Sequence, residues 1–363
     1  MKRFYMPTKI YEGRGCIFDC GDEISRLGKR ALIVTGKTSG ASSGALYDVQ
    51  DVLDSLSICY VVYDSVLNNP TVENAYEAGK LAKEFEADFV VGIGGGSPLD
   101  LGKAAALFAA NDIEPMEIYD EPENKPLPFV AIPTTAGTGS EATQYSVLTV
   151  PEKETKITAK GDWMFPTLAF LDARYTKNLP ESIAKNTALD TMSHFIESIL
   201  SKRCTEDSRA ISLEGLEILG KHIEKTNLFP IPDEDREALL HAAMLGGVAI
   251  AQTGTIVVHS MGYALTFYKD IPHGLANGKL LLPYMKMAER EVPEDCKDIF
   301  KALGCENYEG FKALFDRLDL PETPITEEEA ARFAEKTIKA ANVPLNPWKI
   351  DFEQEREMMR LKG

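Results

Sequence analysis

The sequence lacks the features that mark secreted or disulfide-bonded proteins. Its six cysteines are scattered along the chain, and no two of them form a C-x-x-C pair. This distribution is typical of reduced thiols in a cytosolic enzyme rather than of a disulfide framework. The opening segment MKRFYMPTKIYEGRG has no apolar core of the kind that a signal peptide contains. We therefore expect a cytoplasmic protein.

Long apolar runs and positive charge are scarce as well. The longest apolar stretch, ALLHAAMLGGVAIA, contains His241 and a pair of glycines and is too short to span a bilayer. Lysine and arginine number 39 against 56 acidic residues, which gives a net charge of -17. A chain with this charge repels phosphate backbones. We expect neither a membrane nor a nucleic acid as a partner.

The 363 residues are long for a single core, and two halves of the chain follow different patterns. The first half alternates β-branched runs with amphipathic segments such as LYDVQDVLDSL, and Thr71 is a plausible helix N-cap. Such apolar strands, separated by helices, predict a parallel sheet covered on both faces. The predicted strands are Arg30–Thr35, Cys59–Tyr63, Asp88–Gly92, Phe129–Pro133 and Leu168–Leu171.

From about Pro180 to the C-terminus only helical periodicity remains, with Gly and Pro between the segments. We therefore predict an α/β domain over residues 1–180 and an all-helical domain over residues 181–363.

Three of the five histidines, together with one aspartate, suggest a metal site. Asp190 and His194 stand four residues apart in a stretch with helical spacing, so their side chains share one helix face. His259 lies in an apolar run, where an unpaired imidazole is costly to bury, and His273 lies in an I-P-H-G turn. One carboxylate and three imidazoles suit a divalent transition metal better than calcium or magnesium. By itself the D-x-x-x-H pair favours a surface aspartate beside packed core histidines over a metal site.

Two glycine-rich loops follow predicted strands. The first, GIGGGSPLD, opens a helix, and its glycines allow a pyrophosphate to approach free backbone N–H groups. It is neither a Rossmann fingerprint, because Ser97 stands at the sixth position, nor a P-loop. The second, PTTAGTGSE, carries the hydroxyls of Thr134, Thr135 and Thr138, which can reach a ribose or phosphate. Neighbouring loops of this kind form the crevice in which open α/β sheets bind ligands.

The segments GGGSPLD, PTTAGTGSE, LDTMSHFIES and HSMGYALTFYKDIPHG jointly resemble the metal-dependent (iron-containing, group III) alcohol dehydrogenases. The resemblance implies a dinucleotide-binding α/β domain followed by a helical metal-binding domain, as in dehydroquinate synthase, and a homodimer. It implies Asp190, His194, His259 and His273 as metal ligands. It also implies a set of cofactor-binding residues: Asn69, Gly95, Gly96, Ser97, Asp100, Thr134, Thr138, Thr143 and Lys156.

The chain departs from the family pattern at two positions. Many relatives have a second histidine four residues after the one that matches His259, where it is thought to assist proton transfer, but this chain has Tyr263. A phenol is a poor base near neutral pH. Relatives that prefer NAD have an aspartate after the first strand, where this chain has Gly36, followed by Lys37 and Ser39. Without a carboxylate to repel a 2′-phosphate, NADP(H) should be accepted, with NAD also possible.

The resemblance implies hydride transfer between NAD(P)(H) and a small alcohol or aldehyde, such as a butanol or a diol. Fe²⁺ is the expected metal, although Zn²⁺ or another divalent transition metal is compatible with these ligands. The alternative is a metal- and NAD-dependent cyclase resembling dehydroquinate synthase, which binds a phosphorylated substrate through clustered basic residues. Near the metal motifs only Lys269 and Lys279 are basic. A relative that only binds ligands is a third possibility, against which four intact ligand positions argue.

Overall fold

The computed structural model of the protein describes residues 3–361. Within this range the chain separates into two compact units, one formed by Met6–Leu179 and the other by the residues from Pro180 onward with those before Met6.

The first unit is built on a parallel sheet, as the apolar strands predicted, and the sheet has six strands where the sequence predicted five. Its strands are arranged in the order β1-β8-β5-β4-β2-β3. The four inner strands are buried along almost their whole length, which is why their sequences are continuously apolar. The sheet strands are β1 (Lys9–Glu12), β2 (Arg30–Thr35), β3 (Cys59–Tyr63), β4 (Phe89–Gly94), β5 (Phe129–Pro133) and β8 (Leu168–Leu171).

Along the chain, the helices of this unit lie between the strands. Thr71 is the N-cap of α4, with its side chain accepting a hydrogen bond from the Asn74 backbone N–H, as predicted. The helices are α1 (Cys16–Cys20), α2 (Ser39–Ser43), α3 (Ala45–Ser55), α4 (Val72–Glu84) and α5 (Gly96–Ala110).

Three details of this unit differ from the sequence prediction. Strand β1, which pairs with β8 at the edge of the sheet, was not predicted. Strand β4 continues to Gly94, which pairs with Pro133 of β5, whereas the apolar pattern ended at Gly92. Glycine is a poor strand former by itself, and this extension depends on the ladder with β5. A two-stranded antiparallel hairpin, β6 (Tyr145–Val150) and β7 (Thr155–Lys160), was not predicted.

The second unit is helical within the residues that the structure describes. Helix α6 lies at its centre, and nearly every residue from Ala184 to Leu200 is buried beneath α7, α8 and α10. The helices are α6 (Glu181–Leu200), α7 (Glu206–His222), α8 (Asp233–Thr253), α9 (Val257–Lys269), α10 (His273–Glu291), α11 (Pro293–Ala302), α12 (Tyr308–Leu318), α13 (Glu327–Thr337) and α14 (Phe352–Met359).

Within residues 3–361, no single helix is long and apolar enough to cross a membrane. Helices α8 and α9 reach that length and composition only as a pair, and the pair is bent by 113°.

Candidate metal centre and nucleotide-binding loops

The helical unit brings the four predicted metal ligands together around one carboxylate oxygen. Helix α6 places Asp190 and His194 one turn apart, with Asp190 Oδ1 3.9 Å from His194 Nε2. The Nε2 atoms of His259, on α9, and of His273, at the start of α10, lie 3.8 and 3.7 Å from the same oxygen. Three imidazole nitrogens therefore converge on Asp190.

The electrostatics of the cluster favour a cation. Burial raises the pKa of Asp190, but the three imidazoles and the Asn277 amide more than offset this effect, so the pKa lies below its usual value. Asp190 is therefore ionised at neutral pH. Its oxygen and ring nitrogens of His259 and His273 all lie within 4.8 Å of one another. An ionised carboxylate with imidazoles in a largely buried position fits a divalent transition metal.

Glycines allow the helices that carry these side chains to approach closely. A Cβ at Gly274 would lie 1.8 Å from the backbone oxygen of Asn186, and one at Gly278 would lie 2.8 Å from Leu189. Both contacts are with α6, so any larger residue would push α10 away from it. His273 reaches Asp190 because α10 packs against α6 at this distance.

Glu197 is a buried carboxylate that the sequence analysis missed. Its Oε1 accepts hydrogen bonds from the backbone N–H groups of Ile256, at 2.9 Å, and His259, at 3.3 Å. Its Oε2 contacts His259 Nδ1. If Nδ1 carries the proton, Nε2 keeps its lone pair on the side that faces Asp190. The signal was present in the sequence, because Glu197 follows His194 by three residues on the same helix face.

Asn277 was also missed, although it lies one turn after His273 on α10. Its Nδ2 donates a hydrogen bond to Asp190 Oδ1 at 2.9 Å. The same nitrogen lies 3.3 Å from His259 Nε2 and 3.2 Å from His273 Nε2. The amide therefore holds three of the four candidate ligand side chains in a common orientation.

Tyr263 flanks this cluster from α9, one turn after His259. Its ring stacks on the His273 ring, with centroids 5.2 Å apart and planes 19° from parallel. Its edge-on contact with the His259 ring is longer, at 6.3 Å. The tyrosine therefore lies beside two of the predicted ligands.

In the α/β unit, the two glycine loops follow the neighbouring strands β4 and β5. Gly94, at φ 150°, adopts a backbone conformation that few other residues reach. A Cβ at Gly95 would lie 3.1 Å from the Thr135 side chain, and one at Gly96 would lie 2.9 Å from Thr138 Cγ2. The glycines thus permit direct contact between the loops.

Other predicted cofactor residues meet near the start of α5. The Ser97 hydroxyl donates to the backbone oxygen of Asn68, which attaches the loop after β3 to this helix. Lys156 Nζ, on β7, donates to Asn69 Oδ1 at 2.8 Å. The unpredicted hairpin therefore brings Lys156 to the same end of the sheet.

The remaining predicted cofactor residues take different positions. Thr134 and Thr143 are buried. The Asp100 side chain is 14% exposed, and its carboxylate accepts hydrogen bonds from the protein itself. Gly36 directly follows β2, and a Cβ there would lie 2.7 Å from Ser39 Oγ. Lys37, beside Gly36, is exposed.

Comparison with known proteins identifies the class to which this fold and these side chains belong. The family model of iron-containing alcohol dehydrogenase matches residues 7–173, and that of the C-terminal part of the same family matches residues 184–361. The chain therefore belongs to the iron-containing alcohol dehydrogenase family, and it is an oxidoreductase that acts on alcohols or aldehydes.

Individual relatives agree with this assignment. Lactaldehyde reductase of Escherichia coli is 31% identical over 83% of this chain and 80% of its own length. An NADPH-dependent butanol dehydrogenase of Clostridium saccharobutylicum is 30% identical over 78% of this chain and 73% of its own length. The crystal structure of an iron-containing alcohol dehydrogenase from Thermotoga maritima, 37% identical, superposes over 99% of both chains with a TM-score of 0.93. None of these relatives supports the cyclase alternative.

The geometry predicts graded metal loss for two substitutions. His259→Ala removes a candidate ligand and should abolish stoichiometric binding of metal. Glu197→Gln keeps every candidate ligand but weakens the orientation of His259, so metal affinity should fall by roughly 10- to 100-fold. Metal content by elemental analysis and competition with a chelator would measure both effects.

His241→Ala is the matched control, because it removes a histidine of the same helical unit that lies outside the cluster. It should leave the metal content unchanged. Full occupancy in His259→Ala would contradict the ligand assignment. Unchanged affinity in Glu197→Gln would contradict the orienting role alone.

Proposed function

We propose that the protein interconverts a small aldehyde and its alcohol with NADP(H) and one divalent metal per chain, with iron as the first candidate. The observation that carries this proposal is the convergence of three imidazole nitrogens on Asp190 Oδ1, at 3.7 to 3.9 Å. In a chain of this family, such a cluster is the natural place for the metal.

We also propose that the two domains bind different groups. Residues 1–180 would bind the dinucleotide, since they contain both glycine loops, and residues 181–363 would bind the metal. The two compact units and the separate family matches support this division.

At the metal centre, Asp190, His194, His259 and His273 are the ligands in this proposal. Bound there, the metal supplies a Lewis acid that orients the substrate oxygen and stabilises the negative charge that develops on it. The protein's task is to hold the ligands in place before the metal binds. Glu197 orients His259, and the Asn277 amide holds Asp190 and the two neighbouring rings.

At the nucleotide site, Gly95, Gly96 and Ser97 would receive the pyrophosphate at the N-terminus of α5, where backbone N–H groups are free. Asn69 and Lys156, joined by a hydrogen bond, would contact the cofactor near its ribose. The hydroxyls of Thr134, Thr135, Thr138 and Thr143 would line the second loop, and Asp100 would support the first from behind. The nicotinamide supplies the hydride, so these residues mainly set its position.

Gly36 is the basis for proposing NADP(H) as the preferred cofactor, with NAD(H) also used. No carboxylate stands at this position to repel a 2′-phosphate, and Lys37 and Ser39 follow it in sequence. The butanol dehydrogenase of Clostridium saccharobutylicum, which matches this chain, is named as NADPH-dependent.

The substrate is proposed to be a small alcohol or aldehyde of the butanol or diol type. Matching relatives are named for butanol and for lactaldehyde, both small molecules. We further propose that the enzyme acts as a homodimer in the cytoplasm. Its reduced cysteines and acidic composition are consistent with that location.

A steady-state assay tests the reaction. The protein, reconstituted anaerobically with Fe²⁺, should oxidise NADPH in the presence of butyraldehyde, as followed by absorbance at 340 nm. Removal of the metal with a chelator should abolish this activity, and Fe²⁺ should restore it. Failure across a panel of aldehydes and diols, with each candidate metal, would contradict the proposal.

Gly36→Asp should shift the preference from NADPH toward NADH. A carboxylate beside a 2′-phosphate places like charges together, so the ratio of kcat/KM for the two cofactors should change by roughly tenfold or more. A Cβ at this position meets only the Ser39 side chain, whose hydroxyl can rotate away. Gly36→Asn is the control of equal size without charge, and it should shift the ratio much less. A strong NADH preference in the unmodified enzyme would refute the role given to Gly36.

Tyr263→Phe should change kcat only slightly, because we propose that the proton leaves through water or ribose hydroxyls rather than through the phenol. The ring and its stacking on His273 are retained, so metal content should stay the same. Alcohol oxidation should be faster at alkaline pH in both forms, because it releases a proton. A loss of kcat beyond roughly a hundredfold, the scale of general acid–base assistance, would show that the phenol carries the proton.

A further inference from the structure

Helix α5 carries a buried ammonium group to which the proposed reaction assigns no task. Lys103 is 1% exposed. Its Nζ donates hydrogen bonds to Ser140 Oγ at 2.9 Å and to the backbone oxygens of Thr143 at 2.9 Å and Tyr145 at 2.8 Å. Three donors thus meet three acceptors, which a buried charge requires if its desolvation is to be offset.

Asp100, one turn before Lys103 on the same helix, completes this arrangement. Its Oδ1 accepts from Ser140 Oγ at 2.6 Å and lies 4.0 Å from Lys103 Nζ. Its Oδ2 accepts from the backbone N–H of Val147 at 3.0 Å. We call Asp100, Lys103 and Ser140 the buried junction. The side chains of Asp100 and Lys103 on α5 thus hydrogen-bond to Ser140 and to the backbone of the segment 140–147.

The buried junction joins the two elements that carry the loops proposed to bind the nucleotide. Helix α5 begins at Gly96, in the first glycine loop, and Ser140 directly follows the second loop. The loops are close together, because a Cβ added at Gly96 would lie only 2.9 Å from Thr138 Cγ2. A small movement of α5 relative to segment 140–147 would therefore change the space available to a phosphate between them.

We propose that Lys103 is a positioning residue for the dinucleotide. Its ammonium group sets the separation between the first glycine loop, at the start of α5, and the second glycine loop. This inference depends on the proposed nucleotide-binding role of the two loops. Lys103 acts through Ser140 and the backbone of residues 143 and 145, without touching the cofactor itself.

The charge of the group is compatible with this role. Burial lowers the pKa of Lys103 to about 8, while the carboxylates of Asp100 and Glu141 oppose that change. The amine is therefore still mainly protonated at pH 7, with all three donors available.

The test uses Lys103→Met, which keeps an unbranched apolar side chain as far as Cε and removes the ammonium group with its donors. The dissociation constants of NADPH and of ADP-ribose, measured by calorimetry, should both rise by roughly tenfold or more, since small displacements at a positioned site are costly. The KM for aldehyde at saturating NADPH and the metal content should not change. Lys83→Met is the matched control, because it removes a half-exposed lysine of the same unit, paired to the exposed Asp112. It should leave both dissociation constants unchanged.

Ser140→Ala provides a second route if Lys103→Met does not fold. It keeps the ammonium and removes one hydroxyl, so the dissociation constants should rise in the same direction by a smaller factor. In the double variant the effects should be less than multiplicative, because both substitutions open one junction.

Two outcomes would overturn the inference in distinguishable ways. If the unmodified protein binds neither NADPH nor ADP-ribose, the proposed function fails and this inference fails with it. If the unmodified protein binds them and the folded Lys103 and Ser140 variants bind them equally well, only the positioning role is overturned. A loss of thermal stability with unchanged dissociation constants would identify Lys103 as purely structural.

Discussion

Burial of a charged carboxylate organises the helical unit. Asp190 is removed from water on α6, and its charge is maintained because three imidazoles and one amide surround it. Supplying those groups requires α9 and α10 to approach α6, which in turn requires Gly274 and Gly278 at the closest contacts. The histidines and the amide therefore offset the free-energy cost of burying the Asp190 carboxylate, and the glycines allow the helices to bring them close enough.

The α/β unit also buries a charged group, in this case a cation. Lys103 is buried, and it is held by carbonyl oxygens, a hydroxyl and the nearby Asp100. A buried ion with so many fixed partners restricts the elements that supply them, because moving any one leaves a charge incompletely satisfied. In both units a buried charge therefore confers rigidity next to residues that we propose to bind a ligand.

The positions of its two carboxylate oxygens connect Glu197 to the candidate metal centre. It caps the start of α9 through two backbone N–H groups and contacts His259 Nδ1 with its other oxygen. One side chain thus fixes both the position of the helix and the orientation of the ring that the helix carries. Such partners commonly determine how well a metal ligand performs.

Local sequence patterns were sufficient for the inner strands and for α6, because continuous apolar runs and the spacing of Asp190 and His194 reflect burial and helix geometry directly. They also pointed to His259, because a histidine in an apolar run needs a partner, and to His273, because it lies in an I-P-H-G turn. Tertiary structure alone decided that β4 continues to Gly94, that β6 and β7 pair, and that Glu197, Asn277 and Lys103 have the partners they do. The hairpin is local, with Val150 paired to Thr155, but the pairing of two segments leaves no record in the periodicity of either one. The other features depend on contacts between residues distant in the chain, which the pattern of a single segment does not contain.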